Sequence, residues 1–348
     1  MKDKTYIKIN LIYFIAMILV AIIFVLGAFG IVQNEWLSTF LIQIVVMFAL
    51  PLLLYSLFTK TKVKDTFKTF GIKKVSPAII GFSILLGVIL YFINSFVATV
   101  SQSFIALLGY ETVTTSTTTV QFSYSLLLKE FLLSAILPGI CEEVLHRGLM
   151  LHASKKQKSP RCCLIVSSIL FGLMHLNINQ FFYAAILGCF MGYVTLVADS
   201  IIPSMIIHFM NNALATYFYY GYYLNWPLAT FMNGIENAIY SNLFLYVIFT
   251  TIGICLLIWL YFYFVKRIAI ERSRREVQKL VQYLELNEMS MSEAQVRVNE
   301  INSILKKNSQ NRYINNQKKP SFTENIFLYS TLFLGGIITI SSFIWGLI

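Results

Sequence analysis

Three short groups of polar residues interrupt otherwise apolar sequence. The first is Glu142-Glu143-Val144-Leu145-His146-Arg147, inside an apolar run from about Phe122 to Leu151. The second is Phe171 with His175, and the third is His208 with Asn212. Residues four apart share a helix face, so Glu143 pairs with Arg147 and Glu142 with His146, while the other two groups each place a pair on one face. A charge deep in a membrane helix is costly, rare and usually functional.

The chemistry such a set supports is hydrolysis. A carboxylate in a dry setting can take a proton from water, and a histidine beside it can share that water. A second histidine and an amide can hold the oxygen of a tetrahedral intermediate. Glu142, His175, His208 and Asn212 are the candidates. Glu143 and Arg147 read as a structural ion pair, because an unpaired buried arginine is too costly. His146 and His152 read as histidines bonded to nearby backbone close to the headgroups. Two histidines and a glutamate can also bind zinc with one position open. If a metal is present its ligands are Glu142, His175 and His208; the residues leave zinc and no cofactor both open. A His-Glu-x-x-His pattern is absent, and Glu143-x-x-His146 lacks the second copy that a di-iron site needs.

These residues need helices to carry them. The chain has 348 residues, 57% hydrophobic and 12% charged, with a mean hydropathy of +0.70. A soluble protein carries about twice that charge. Repeated apolar runs of about 20 residues give an all-α, polytopic transmembrane bundle. We read nine spans: 7–32, 36–58, 77–100, 122–150, 162–176, 178–198, 201–220, 243–265 and 326–348. The fifth is short and needs shielding by its neighbours. At 1.5 Å per residue, Glu142 lies about 15 Å from the following basic loop, His175 about 20 Å into its span and His208 about 10 Å into its own. The three can therefore meet at one depth.

The net charge of +11 reflects topology and anionic lipid, not nucleic acid. All Lys and Arg residues except Lys129 and Arg147 fall at the N-terminus or in 59–76, 151–161 and 266–320. Loops near 33–35, 101–121 and 221–242 carry none. Positive loops stay cytoplasmic, so the N-terminus is expected in the cytoplasm and the C-terminus outside. The five cysteines all lie in apolar segments, which is no disulfide framework. The expected organisation is a membrane bundle over 1–265 with its core at about 122–220, a cytoplasmic helical hairpin over 266–320 and a last transmembrane helix over 321–348. Within the hairpin, Ser290-Met291-Ser292-Glu293 reads as a capping box. The apolar faces at 272–307 suit either self-packing or a protein partner. Loop 221–242 is expected at the interface.

At these residues the sequence resembles the CPBP family of intramembrane proteases, the CAAX-processing endoproteases and their bacterial relatives of Abi and lysostaphin-resistance type. That family's pattern is Glu-Glu-x-x-x-Arg, Phe-x-x-x-His and His-x-x-x-Asn/Asp. It is matched here by Glu142 to Arg147, Phe171 to His175 and His208 to Asn212. The resemblance implies that Glu142 and His175 activate the attacking water. His208 and Asn212 would stabilise the oxyanion, with Glu143, Arg147 and Phe171 in support. It implies an intramembrane endopeptidase, by a glutamate or a metalloprotease mechanism, acting on a membrane-associated peptide or protein. The Lys/Ile/Asn-rich composition points to a bacterial cell membrane. The alternative is a catalytically idle scaffold or bacteriocin-immunity-type binding protein. A transporter would show repeats in its two halves, and none is found. The residue before the arginine is usually Phe in this family; here it is His146.

Overall fold

The structure, a computed structural model, describes residues 4–32, 34–110, 123–240, 243–286, 299 and 322–347. All regular structure among them is helical. The main helices are α1 (Thr5–Ala28), α2 (Trp36–Thr59), α3 (Pro77–Leu107), α4 (Tyr124–Ala153) and α5 (Pro160–Leu173). They continue with α6 (Ile178–Ala198), α7 (Ile202–Tyr223), α8 (Pro227–Tyr240), α9 (Leu243–Leu286) and α10 (Phe322–Trp345). Polar side chains set several starts. Ser76 accepts from Ile79 N, Ser123 from Leu126 N, Ser159 from Cys162 N and Asn177 from Asn179 N. Each satisfies one of the N–H groups that a first helical turn leaves open.

Among the described residues, seven helices are long and apolar enough to cross a membrane: α1, α2, α3, α4, α6, α10 and the stretch Ile248–Lys279 of α9. The chain is an integral membrane protein. The expected count of nine adds α5 and α7. α5 has 14 residues, too few to span 30 Å of hydrocarbon. α7 has 22, but His208, Asn211 and Asn212 interrupt its apolar sequence. The two carry the second and third polar groups of the sequence.

Two expectations need revision. Segment 221–242 is not a plain loop, because α8 occupies most of it, with Ala229 buried. The eighth span and the first hairpin helix are one continuous helix, α9, of 44 residues. The second hairpin helix and the 111–121 loop lie outside the described residues, as does most of the proposed partner face at 272–307.

The core forms two apolar clusters. One gathers buried residues of α1, α2, α4, α5 and α10, including Tyr13, Met17, Val46, Leu145 and Leu170. The other gathers α3, α6, α7 and α9, including Leu90, Met191, Ile207 and Tyr261. Phe171 of α5 belongs to the second, while its neighbour Leu170 belongs to the first. α5 is therefore the seam, and the polar groups are held there.

At one end of the bundle the basic segments meet on a single carboxylate. Asp199, in a left-handed turn after α6, receives Lys73, Lys155 and His152, with Arg272 of α9 at 3.9 Å. Arg272 also donates to Val197 O at 2.9 Å. Burial pushes Asp199 up, but the hydrogen bonds from His152, Lys155 and Lys73 outweigh it and hold the carboxyl below its ordinary value. Burial holds Lys155 below its own ordinary value despite that bond. Lys8 reaches Phe58 O at the same end of α2. Segments 59–76, 151–161 and 266–286 thus lie together, as the charge alternation requires of loops on one side.

Candidate active site

α4 is not a regular α-helix. Phe131–Ile136 and Val144–Ala153 are π-helical, and so is Leu41–Ala49 of α2. Wide turns of this kind are uncommon and cluster at functional sites. Pro138 lies between the two in α4. It has no N–H to give to Ser134, four residues earlier, and the Ser134 carbonyl accepts from Asn212 Nδ2 at 3.0 Å. The irregularity of α4 thereby fixes Asn212 of α7.

Close approach of the same two helices rests on Gly139. A Cβ there would sit 2.9 Å from the backbone nitrogen of Phe209, nearer than real Cβ contacts come. The absence of a side chain brings His208, one residue earlier, to Glu143. His208 Nδ1 lies 3.0 Å from Glu143 Oε1, and Arg147 Nη1 donates to that same oxygen at 2.9 Å. Glu143 and Arg147 are both fully buried. The expected ion pair is present, and His208 joins it as a third member.

Phe171 is the hub of the arrangement. Its ring meets His146, His175 and His208 edge-on, at centroid distances of 4.9, 5.2 and 5.6 Å. The guanidinium of Arg147 lies 4.4 Å from the ring centroid and also donates to Gly188 O at 3.2 Å. A ring face attracts a cation strongly where water is absent. The sequence marks Phe171 only as a motif position; in the structure it organises the three imidazoles and the arginine.

Hydrogen bonds fix which nitrogens are free. His175 Nδ1 lies 2.9 Å from Phe171 O. A carbonyl only accepts, so Nδ1 carries the proton and neutral His175 presents a lone pair at Nε2. The turn behind it is strained: Leu176, buried, holds φ at 53°. Left-handed backbone costs a non-glycine residue about 1–2 kcal/mol. Here it reverses the chain between α5 and α6 and aims His175. His208 likewise turns Nδ1–H to Glu143 and leaves Nε2 outward. It can donate from Nε2 only as imidazolium, a form that the Glu143 carboxylate accommodates. Asn212 accepts from Asn211 through Oδ1 and has one N–H beyond the bond to Ser134.

The two adjacent glutamates separate cleanly. Glu142 is partly exposed, and its one side-chain hydrogen bond is from Gln43 Nε2, at 2.8 Å. The expected pairing with the His146 side chain does not form. His146 Nδ1 instead takes the Glu142 backbone carbonyl at 2.8 Å, and its Nε2 meets the Tyr13 hydroxyl at 2.8 Å. His146 is fully buried, and the expected bond to nearby backbone is the one to Glu142. His152 does sit at the helix end, on Thr69 O and Asp199.

Sequence reasoning missed Gln43, Tyr13 and Ser134. Gln43 had a signal, being the one amide in the apolar run Leu41–Ala49. Tyr13 and Ser134 had none, because both types are common in membrane helices. Among the described residues, no three of His, Cys, Asp and Glu stand close enough to hold one metal ion. Glu142, His175 and His208 accordingly do not converge as a zinc site in this structure.

Residues 124–214 match the family model for Rce1-like, type II CAAX prenyl endopeptidases. The matched stretch holds all three motifs and agrees with the CPBP resemblance drawn from them; α1, α2, α3 and α9 lie outside it. The match supports an intramembrane protease activity. No curated protein and no solved structure matches the chain.

Proposed function

We propose, with the Rce1-like match of residues 124–214 as premise, that this protein is an intramembrane endopeptidase. Its substrate is a membrane-associated peptide or the tail of a membrane protein. The observation that carries the reading is the division of labour between the two carboxylates. Glu143 is sealed and spends its charge on Arg147 and His208. Glu142 is partly exposed and, among the described residues, is held by one amide, with its second oxygen free of protein partners.

In the proposed reaction Glu142 takes a proton from water, and His175 Nε2 accepts the hydrogen bond of the other. The water oxygen adds to the peptide carbonyl carbon. The negative oxygen that results is held by the remaining N–H of Asn212 and by His208 as imidazolium, with Glu143 opposite. The C–N bond then breaks as the proton on Glu142 passes to the leaving nitrogen. Glu143, Arg147 and Phe171 keep the imidazoles in place and do not touch the substrate. The basic end around Asp199 is assigned to the cytoplasm by the positive-inside rule, which places the N-terminus there.

The test is cleavage of a quenched, farnesylated Cys-aliphatic-aliphatic-X peptide by the purified protein, with membrane peptides compared by mass spectrometry in cells. Glu142→Gln keeps the shape and removes the proton acceptor. Cleavage should fall by about 10²–10⁴, the usual worth of a general base, with expression and melting unchanged. Full turnover by a folded Glu142→Gln protein would sink the assignment. No cleavage difference in either assay would leave the idle scaffold or immunity-type reading in its place.

A further inference from the structure

We propose that Gln43 is the positioning residue of Glu142, an inference that rests on the proteolytic reading above. Gln43 lies on α2, outside the matched stretch 124–214. It is buried, with 6% of its surface exposed, in the π-helical turn Leu41–Ala49. Its Nε2 donates to Glu142 Oε1 at 2.8 Å. An ionised carboxylate only accepts, so the amide must turn its N–H groups to Glu142. That choice leaves the carbonyl oxygen to find another donor, and among the described residues there is none: Gln43 Oε1 is buried without a hydrogen-bond partner.

Those facts set a sign. A buried acceptor without a donor lowers stability, whereas an apolar side chain of the same shape avoids the penalty. Glu142 is partly exposed, so losing the amide does not leave its carboxylate sealed inside the protein. Gln43 therefore costs the fold more than it contributes, and an apolar side chain of its length would remove that cost. What it supplies is orientation. It holds one carboxylate oxygen from outside α4 and leaves the second oxygen for water. A residue kept for structure alone should not combine a sealed, unfilled oxygen with a single bond to the exposed member of a glutamate pair.

The experiment uses the full chain in detergent or lipid with Gln43→Met, an unbranched apolar replacement of similar length. Melting should be unchanged or higher. On the quenched farnesylated peptide, kcat should fall about 10–100-fold with KM within about twofold, the pattern of a group felt in the transition state and not in binding. Lower melting with kcat retained would show a structural role and overturn the proposal. A second readout does not need turnover. Crystals of both proteins grown from a lipid mesophase should show one Glu142 rotamer in the wild type and a displaced or divided one in Gln43→Met. An unchanged Glu142 would overturn the proposal even if the wild type cleaves nothing. If the wild type is inactive but Glu142 shifts, the protease reading fails while the positioning contact stands.

Discussion

Removing Glu143 tests the buried triad most directly. Both it and Arg147 are fully enclosed, and Glu143 Oε1 carries two contacts, Arg147 Nη1 at 2.9 Å and His208 Nδ1 at 3.0 Å. Glu143→Ala leaves a guanidinium with only the Gly188 carbonyl and the face of Phe171. Breaking a buried pair from one side costs about 3–5 kcal/mol. At about 2–4 °C per kcal/mol for a domain of this size, melting should drop by roughly 6–20 °C. Arg147→Met should cost less, because Glu143 keeps His208, which can take a proton. Glu143→Leu with Arg147→Met removes both charges and should recover most of the loss. It should not recover all of it, since His208 Nδ1 then lacks an acceptor. The assay is thermal unfolding of the four purified proteins in detergent, followed by tryptophan fluorescence. A Glu143→Ala protein that melts with the wild type, or a double variant no better than the single, would refute the reasoning.

Two further outcomes are expected. The Asp199 carboxyl is held below its unfolded value of about 3.9, so its stabilisation is complete above that value and is lost as pH falls through the folded one. The melting gap between wild type and Asp199→Asn should therefore be steady from pH 7 to about 5 and narrow below about 4; a gap that widens on acidification contradicts this. Reporters fused after Lys74 or Lys158 should read cytoplasm and those after Ser116 or Asn233 outside. A cytoplasmic signal at Ser116 would break the assignment of sides.

Much of the site was legible because its rules are local. Spacing of four put Glu143 on Arg147, and the bond from His175 to the Phe171 carbonyl follows the same period. The basic segments announced one end of the bundle, and Asp199 is where they meet. What escaped depends on contacts between distant helices. Nothing near Glu142 in sequence says that its partner is an amide 99 residues earlier. The two π-helical stretches of α4 also evaded a reading built on 3.6 residues per turn, although Pro138 marked where the regular pattern breaks. The membrane count fell short of certainty at α5 and α7, where length and polarity depart from what lipid requires.

The bond between Tyr13 and His146 gives sequence divergence a preferred order. His146 stands where the pattern of the resembled family has Phe, and its Nε2 depends on a hydroxyl 133 residues away. The same hydroxyl lies 3.0 Å from the Leu170 carbonyl, and its single proton is shared between the two acceptors. If His146 mutates to Phe first, Tyr13 keeps Leu170 and nothing polar is abandoned. If Tyr13 mutates to Phe first, the Leu170 carbonyl keeps the backbone N–H of Met174, but the buried imidazole nitrogen loses its partner, a step that costs about 1–3 kcal/mol. Lineages can thus leave the His–Tyr pair easily through position 146 and only with difficulty through position 13. The reverse holds for entry: tyrosine at 13 must already be in place before histidine at 146 is tolerated.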